Sequence, residues 1–213
     1  MRGTLTAAIA LLMVVACGSS PIATALGPSV ASVAVQAGDL PKGMQKCDLS
    51  GDINTYLNKI KTSDPSAYTT TKAEWDAAQK AGATAAEVVF FSDSAAHCKT
   101  VAGSVAGVAS TTYKLTLNFV VQFKDEATAA KGYTSASIFG FSQAALTTAG
   151  APAIQGTKTG LGANSVTLAI SISTQSFYIA VWQNKTFMVI LAVLNIDSAA
   201  GQKAAVAENG RIH

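Results

Sequence analysis

The chain has 213 residues, 49% of them hydrophobic and only 13% charged, with 15 basic against 12 acidic side chains. That length supports one domain with a substantial core, and the near balance of charge, with Lys and Arg scattered singly and no basic stripe between aromatics, argues against a nucleic-acid partner. Sparse charge with abundant Ala, Thr, Ser and Val suits an exported, β-containing domain better than a cytosolic helical enzyme.

Arg2 gives the chain a positive start, and Leu5 to Val15 form an apolar run shorter than the ~20 residues of a membrane-spanning helix. Val14-Val15-Ala16-Cys17 closes that run: two aliphatic residues, a small residue and a cysteine. This box resembles the lipobox of bacterial lipoproteins. The resemblance implies that residues 1–16 are a signal peptide removed on export and that the Cys17 thiol carries a diacylglycerol. In that family the new amino group is often acylated too, which gives the two or more chains that firm anchoring needs. An ordinary secretory signal with a chance cysteine is the competing reading. With Cys17 lipidated, the odd count of three cysteines leaves one pair, Cys47 and Cys98.

Residues 17–39 hold small residues, two prolines and no charge before Asp39, and read as a lipidated flexible tether. Its r.m.s. reach is roughly 25 Å. A first strand over 29–35, carried by Val30, Val33 and Val35, is the alternative. The folded unit, residues 40–213, begins near Leu40-Pro41. Ser50 stands ready to cap a helix whose Ile53, Tyr56, Leu57 and Ile60 follow helical spacing, and residues 63–65 end it at a proline. A second helix covers about 72–80, with Trp75 and Ala78 on one face. In residues 87–91 (EVVFF) periodicity does not choose, and a strand or one helix over 83–91 fits equally.

Residues 115–123 send Leu115, Leu117, Phe119, Val121 and Phe123 to one side and Thr116, Asn118, Val120 and Gln122 to the other, the period of a strand. Asp125 caps a following helix over 126–136, and residues 139–146 suit a further one. Three β-rich runs, 165–173, 176–182 and 186–194, follow, the last two joined by a short polar hairpin connection. Residues 187–194 are apolar on both faces and mark an inner strand. Asp197 opens a closing helix that ends near Asn209-Gly210. The expected fold is α+β: a single domain with an antiparallel sheet of about four to five strands and helices packed on one face.

Several short pieces share a pattern with known proteins. They are Leu40-Pro41-x-Gly43-x-x-x-Cys47, Ala95-x-x-Cys98, Phe123-x-Asp125-x-x-x-Ala129-Ala130, Gly160-Leu161-Gly162 ahead of a strand, and the late strands with Val181-Trp182 and Ile190. Together they resemble a loose group of bacterial lipoproteins and extracellular sensor-like domains, found on actinobacterial surfaces and at the outer end of serine/threonine kinases. The resemblance implies an α+β fold with an antiparallel sheet, paired cysteines and ligand or partner binding. It brings no catalytic residue. This chain has one cysteine pair where the sensor domains carry several disulfides.

Joining Cys47 to Cys98 would close a loop worth roughly 4 kcal/mol by chain entropy. A metal site lacks ligands, since His97 is the sole histidine before His213 and no Cys-x-x-Cys occurs. A Cys98 nucleophile paired with adjacent His97 fails on geometry, because sequence neighbours rarely face each other. There is no Gly-x-Ser-x-Gly elbow. Gly156, Gly160 and Gly162 precede a strand, so they suit turns and not a phosphate loop. Tyr178 and Trp182, four apart in a strand, share a face. They are expected to line a ligand-binding cleft, with Phe139 and Phe141 at one lip and residues 157–164 at the other. No metal or cofactor is expected.

The function this implies is a non-enzymatic, extracytoplasmic binding domain in the bacterial cell envelope. It is held to the membrane through lipid on Cys17 and binds a small apolar ligand, a lipid or an envelope protein partner. The competing classes are an envelope hydrolase that depends on His97 and a purely structural or adhesive surface lipoprotein.

Overall fold

The computed structural model describes residues 27–104, 111–135, 141–148 and 152–213. The alternation over 115–123 makes strand β4 (Leu115–Phe123), which pairs antiparallel with β3 (Ala83–Ser92) on one side and β8 (Phe187–Leu194) on the other. From β8 the sheet continues through β7 (Gln175–Asn184) and β6 (Ser165–Ile172) to β5 (Ala153–Gln155). At its opposite edge, β3 meets β1 (Gln45–Lys46) and β2 (Gly51–Asp52). The α+β class and the antiparallel pairing match expectation, but the sheet has eight strands and not four to five. The additional members are edges of two or three residues, too short for a period of two to register.

Helices cover both faces, not one. On the first face lie α2 (Ile53–Ser63), α3 (Pro65–Lys80), α4 (Ala95–Gly103), α5 (Glu126–Ser135) and α6 (Gln143–Thr148). Their Tyr56, Ile60, Trp75, Val101, Ala129 and Leu146 pack with Phe90, Phe119 and Ile190 of the sheet. The second face is covered by α7 (Ser198–Asn209) and by an N-terminal segment containing α1 (Val30–Val33) and a 3-10 turn at Ala37–Asp39. Thr116, Asn118 and Val120 of β4, expected to face away from the core, are therefore fully enclosed.

The N-terminal segment explains that difference. Val33, Ala34 and Val35 are buried against Val89, Phe91 and Val120, so residues from Ser29 onward belong to the folded domain and not to a tether reaching 39. Residues 1–26, including the expected signal peptide and Cys17, lie outside the described residues. We call Ser29–Leu40 the strap.

Local chemistry sets the helix starts. Asp52, not Ser50, caps α2 by accepting from the N–H groups of Asn54 and Thr55. Ser50 is held by β3 instead, accepting from the Phe90 N–H at 2.9 Å and donating to the Phe90 carbonyl at 3.3 Å. The second helix begins at Pro65 and not near residue 72, because Asp64 caps it and proline suits a first helical turn. Residues 83–92 resolve as strand β3, paired along β4. Helix α6 starts at Gln143, capped by Ser142, and leaves Phe141 outside it. Asp125 and Asp197 cap α5 and α7 as their positions suggested. Cys47 and Cys98 form a disulfide with Cα atoms 5.2 Å apart, tying the turn after β1 to α4.

Helix α7 approaches the sheet through Gly201, Ala204 and Ala205, all buried. A Cβ at position 201 would lie 2.7 Å from Cδ1 of Tyr178, so only glycine permits this spacing. Gly201→Ala is expected to destabilise the domain by about 1–3 kcal/mol. A lowered urea midpoint at unchanged m-value is the readout.

Candidate functional site

Tyr178 and Trp182 share a face as their spacing requires, but that face is the enclosed one: Tyr178 is 4% exposed and Trp182 0%. Helix α7 lies against the Tyr178 ring at Gly201, and Leu161 from the 156–164 loop joins Trp182 in the same core. That loop is pinned by hydroxyls. Thr159 Oγ1 and Ser165 Oγ are 2.6 Å apart, and both lie within hydrogen-bond distance of the Gly156 carbonyl, at 2.9 and 3.0 Å. Burial pushes the Tyr178 hydroxyl up to about 12. Phe141 is half-buried against the opposite core, so the sheet stands between it and the two aromatics. Phe139 lies outside the described residues. Among the described residues, α7 and the 156–164 loop close over Tyr178 and Trp182, so these two side chains do not line an open cleft.

What the second face holds instead is a polar centre. Asn118 projects from mid-β4, and its cross-strand neighbours on this face are Leu191 and Ala180. Its amide nitrogen donates to both carboxyl oxygens of Glu208, at 2.9 and 3.1 Å, and to the Ile190 carbonyl at 3.1 Å. Its amide oxygen accepts from the Val35 N–H at 2.9 Å. One side chain thus joins β4, α7 and the strap. Burial pushes the Glu208 carboxyl well above the usual carboxylate range. The Asn118 amide and Arg211 oppose that shift, and Asp39 adds to it. Arg211, just past α7, donates to the carbonyls of Val33 and Ala34 at 3.0 and 3.1 Å and pairs with both Asp39 oxygens at 3.2 and 2.8 Å.

Sequence reasoning missed this centre, though two signals pointed to it. An asparagine interrupts the middle of the best strand, and Glu208 continues the Gly201, Ala204, Ala205 stripe at helical spacing. A carboxyl on the small-residue face of a helix faces the sheet.

A second polar cluster lies at the surface beside the disulfide. His97 Nδ1 is 2.5 Å from Asp93 Oδ1, and the imidazole stacks on Tyr113 with centroids 4.1 Å apart. Burial alone would raise the Asp93 carboxyl, but the hydrogen bonds from His97 and the Lys114 N–H hold it below its usual value. Asp93 directly precedes Ser94, the cap of α4, so the pair also closes that helix start. Among the described residues no group of three His, Cys, Asp or Glu side chains is placed to hold a metal ion. None of their helices is long and apolar enough to cross a membrane.

These features define a single-domain α+β protein with a two-sided antiparallel sheet, a stapled first layer and a strapped second layer. No protein-family profile matches the chain, and no curated protein matches it in sequence. Among solved structures it is similar to the extracellular domain of PknH from Mycobacterium tuberculosis, at 11% identity and a TM-score of 0.42, over 85% of this chain and 95% of that one. A likeness of that degree says nothing of what this chain binds.

Trp182 is enclosed on every side, so Trp182→Ala is expected to cost about 3–5 kcal/mol and to lower the thermal midpoint sharply. Near-native stability of that variant, measured by chemical denaturation, would return Trp182 to a cleft.

Proposed function

We propose that the chain is a lipid-anchored, extracytoplasmic binding domain that acts on an envelope protein partner and not by catalysis. The Cys47–Cys98 disulfide carries this reading. Such bonds persist in oxidising compartments outside the cytoplasm, and pairing these two leaves Cys17 in its lipobox-like setting as the third cysteine. Burial of Tyr178 and Trp182 removes the support for a small apolar ligand beside them. Large apolar side chains stay exposed at the β5–β6 end of the sheet, Ile154 at 51% and Ile172 at 58%. Their strands pair, and register puts the two side chains on opposite faces, so a partner gripping that end meets both.

The anchoring half is tested by Cys17→Ala, which should shift the protein from the membrane pellet to the aqueous fraction. An unmodified amino-terminal peptide in wild-type protein with unchanged partitioning would overturn it. For the binding half, a photo-cross-linker at position 172 should give a discrete envelope-protein adduct in intact cells. Ile154→Asp should weaken that adduct at unchanged stability.

One observation favours a second reading, a hydrolase. The Asp93–His97 contact is the orienting half of a nucleophile-activating set. In the described structure the imidazole's hydrogen bond is to Asp93, and no hydroxyl or thiol is bonded to it. Turnover of an ester, glycoside or peptide substrate that is lost in His97→Ala would select this reading.

A further inference from the structure

The strap is the least supported of the pieces that enclose the second core. Strands β4 and β8 pair over eight residue positions, and α7 is seated by Gly201, Ala204 and Ala205 directly on the sheet. The strap has one four-residue helical turn, one three-residue 3-10 turn and four buried apolar side chains, Val33 to Val35 and Leu40. Among the described residues, its hydrogen bonds to the rest of the fold are made with two side chains. Asn118 accepts from the Val35 N–H, and Arg211 binds the Val33 and Ala34 carbonyls and Asp39.

Asn118 is also the hydrogen-bond partner of Glu208, a side chain with no exposure to solvent. The charged groups nearest this carboxyl are Arg211, on the same helix end, and Asp39, in the strap's 3-10 turn. Arg211 already forms its ion pair with Asp39, and four of its five N–H donors go to the strap, two to Asp39 and two to the Val33 and Ala34 carbonyls. The sheet offers no charge here: the neighbours of Asn118 on β8 and β7 are Leu191 and Ala180. Among the described residues an ionised Glu208 therefore has an amide and only the field of Arg211, a cation it shares with Asp39, and an enclosed charge so weakly compensated is costly enough to draw in water. Water reaches it most cheaply by moving the weakest cover, since local opening follows the least stable unit.

We propose that Glu208 is a proton-operated lock on the strap: protonated, it keeps residues 29–40 seated, and its ionisation unseats them while the sheet stays folded. The proton goes to solvent, and the carboxylate gains water as Val35 leaves Asn118. A carboxyl titrating higher in the folded state stabilises the seat fully below its unfolded value and loses that contribution as pH rises through its folded value. The lock opens toward alkaline pH and closes toward acid. This inference does not rest on the lipid anchor or on a binding partner.

Amide hydrogen exchange tests it on the described domain within the full chain. Corrected for the intrinsic pH effect, exchange at the Val35 N–H should rise by up to about tenfold per pH unit between the carboxyl's titration in the unseated state and its titration in the seated state, and level off above the latter, as one released proton requires. The β8 amides should not follow. The Glu208 side-chain carbonyl carbon, observed by NMR, should titrate at the pH where that rise levels off. In Glu208→Gln the corrected Val35 exchange should stay flat with pH. In Arg211→Gln it should be faster at every pH, with the wild-type slope kept. If Val35 and the β8 amides move together in wild type, opening is global and the proposal fails. An equal rise in Glu208→Gln, or a Glu208 carbon that does not titrate with Val35, also overturns it. Should Glu208→Gln not fold, the wild-type comparison and the carbon titration decide the matter alone.

Discussion

The pairing of β4 with β8 is the constraint on which the molecule depends. Every residue of β8 is buried, and β4 is enclosed on both sides over nearly its whole length. Fully burying one such aliphatic or aromatic side chain contributes about 1.5–3 kcal/mol. A strand pair apolar on both faces thus demands two layers of cover. Helices α2 to α6 form one of them, with the Cys47–Cys98 disulfide tying α4 to the turn after β1. The other is assembled from the two ends of the domain, the strap and α7.

The second layer is thin, and that is where polarity has entered the core. A buried amide and carboxyl cost free energy unless each finds a partner. Asn118 meets that demand by serving Glu208, Ile190 and Val35 at once. An apolar residue at position 118 would still pack, but nothing would fix where the strap backbone lies along β4. Directional bonds from Asn118 and Arg211 give a short, mostly small-residue segment a single position, which the contacts of Val33 to Val35 alone do not.

Much of the fold was legible because its central elements follow clear periods. The alternation of 115–123, the doubly apolar run of 187–194, and the caps at Asp125 and Asp197 each led to an element that is present. What escaped did so for physical reasons. Strands of two or three residues carry no period. The strap resembles a linker because small residues serve equally in a flexible chain and in a close-packed cover. Thr116 and Asn118 imply a wet face by type, yet they are dry because distant segments fold over them. Spacing put Tyr178 and Trp182 on one face but gave no information about what lies above it. That depends on Gly201, twenty-three positions after Tyr178, being small enough to let α7 close down.

The contacts of Arg211 impose an order on assembly. Its partners Val33 and Ala34 lie 178 and 177 positions earlier in the chain, so the first folded residues to leave a ribosome or an export channel are among the last to find their places. Closing so long a loop is slow compared with forming the β6–β7–β8 meander or the α2–α3 pair. During synthesis the Val33 and Ala34 carbonyls must wait for their Arg211 partner until residue 211 has emerged. In that interval the Val33 to Val35 side chains are more open to chaperones, processing enzymes and other copies of the chain than they are once the two ends have met.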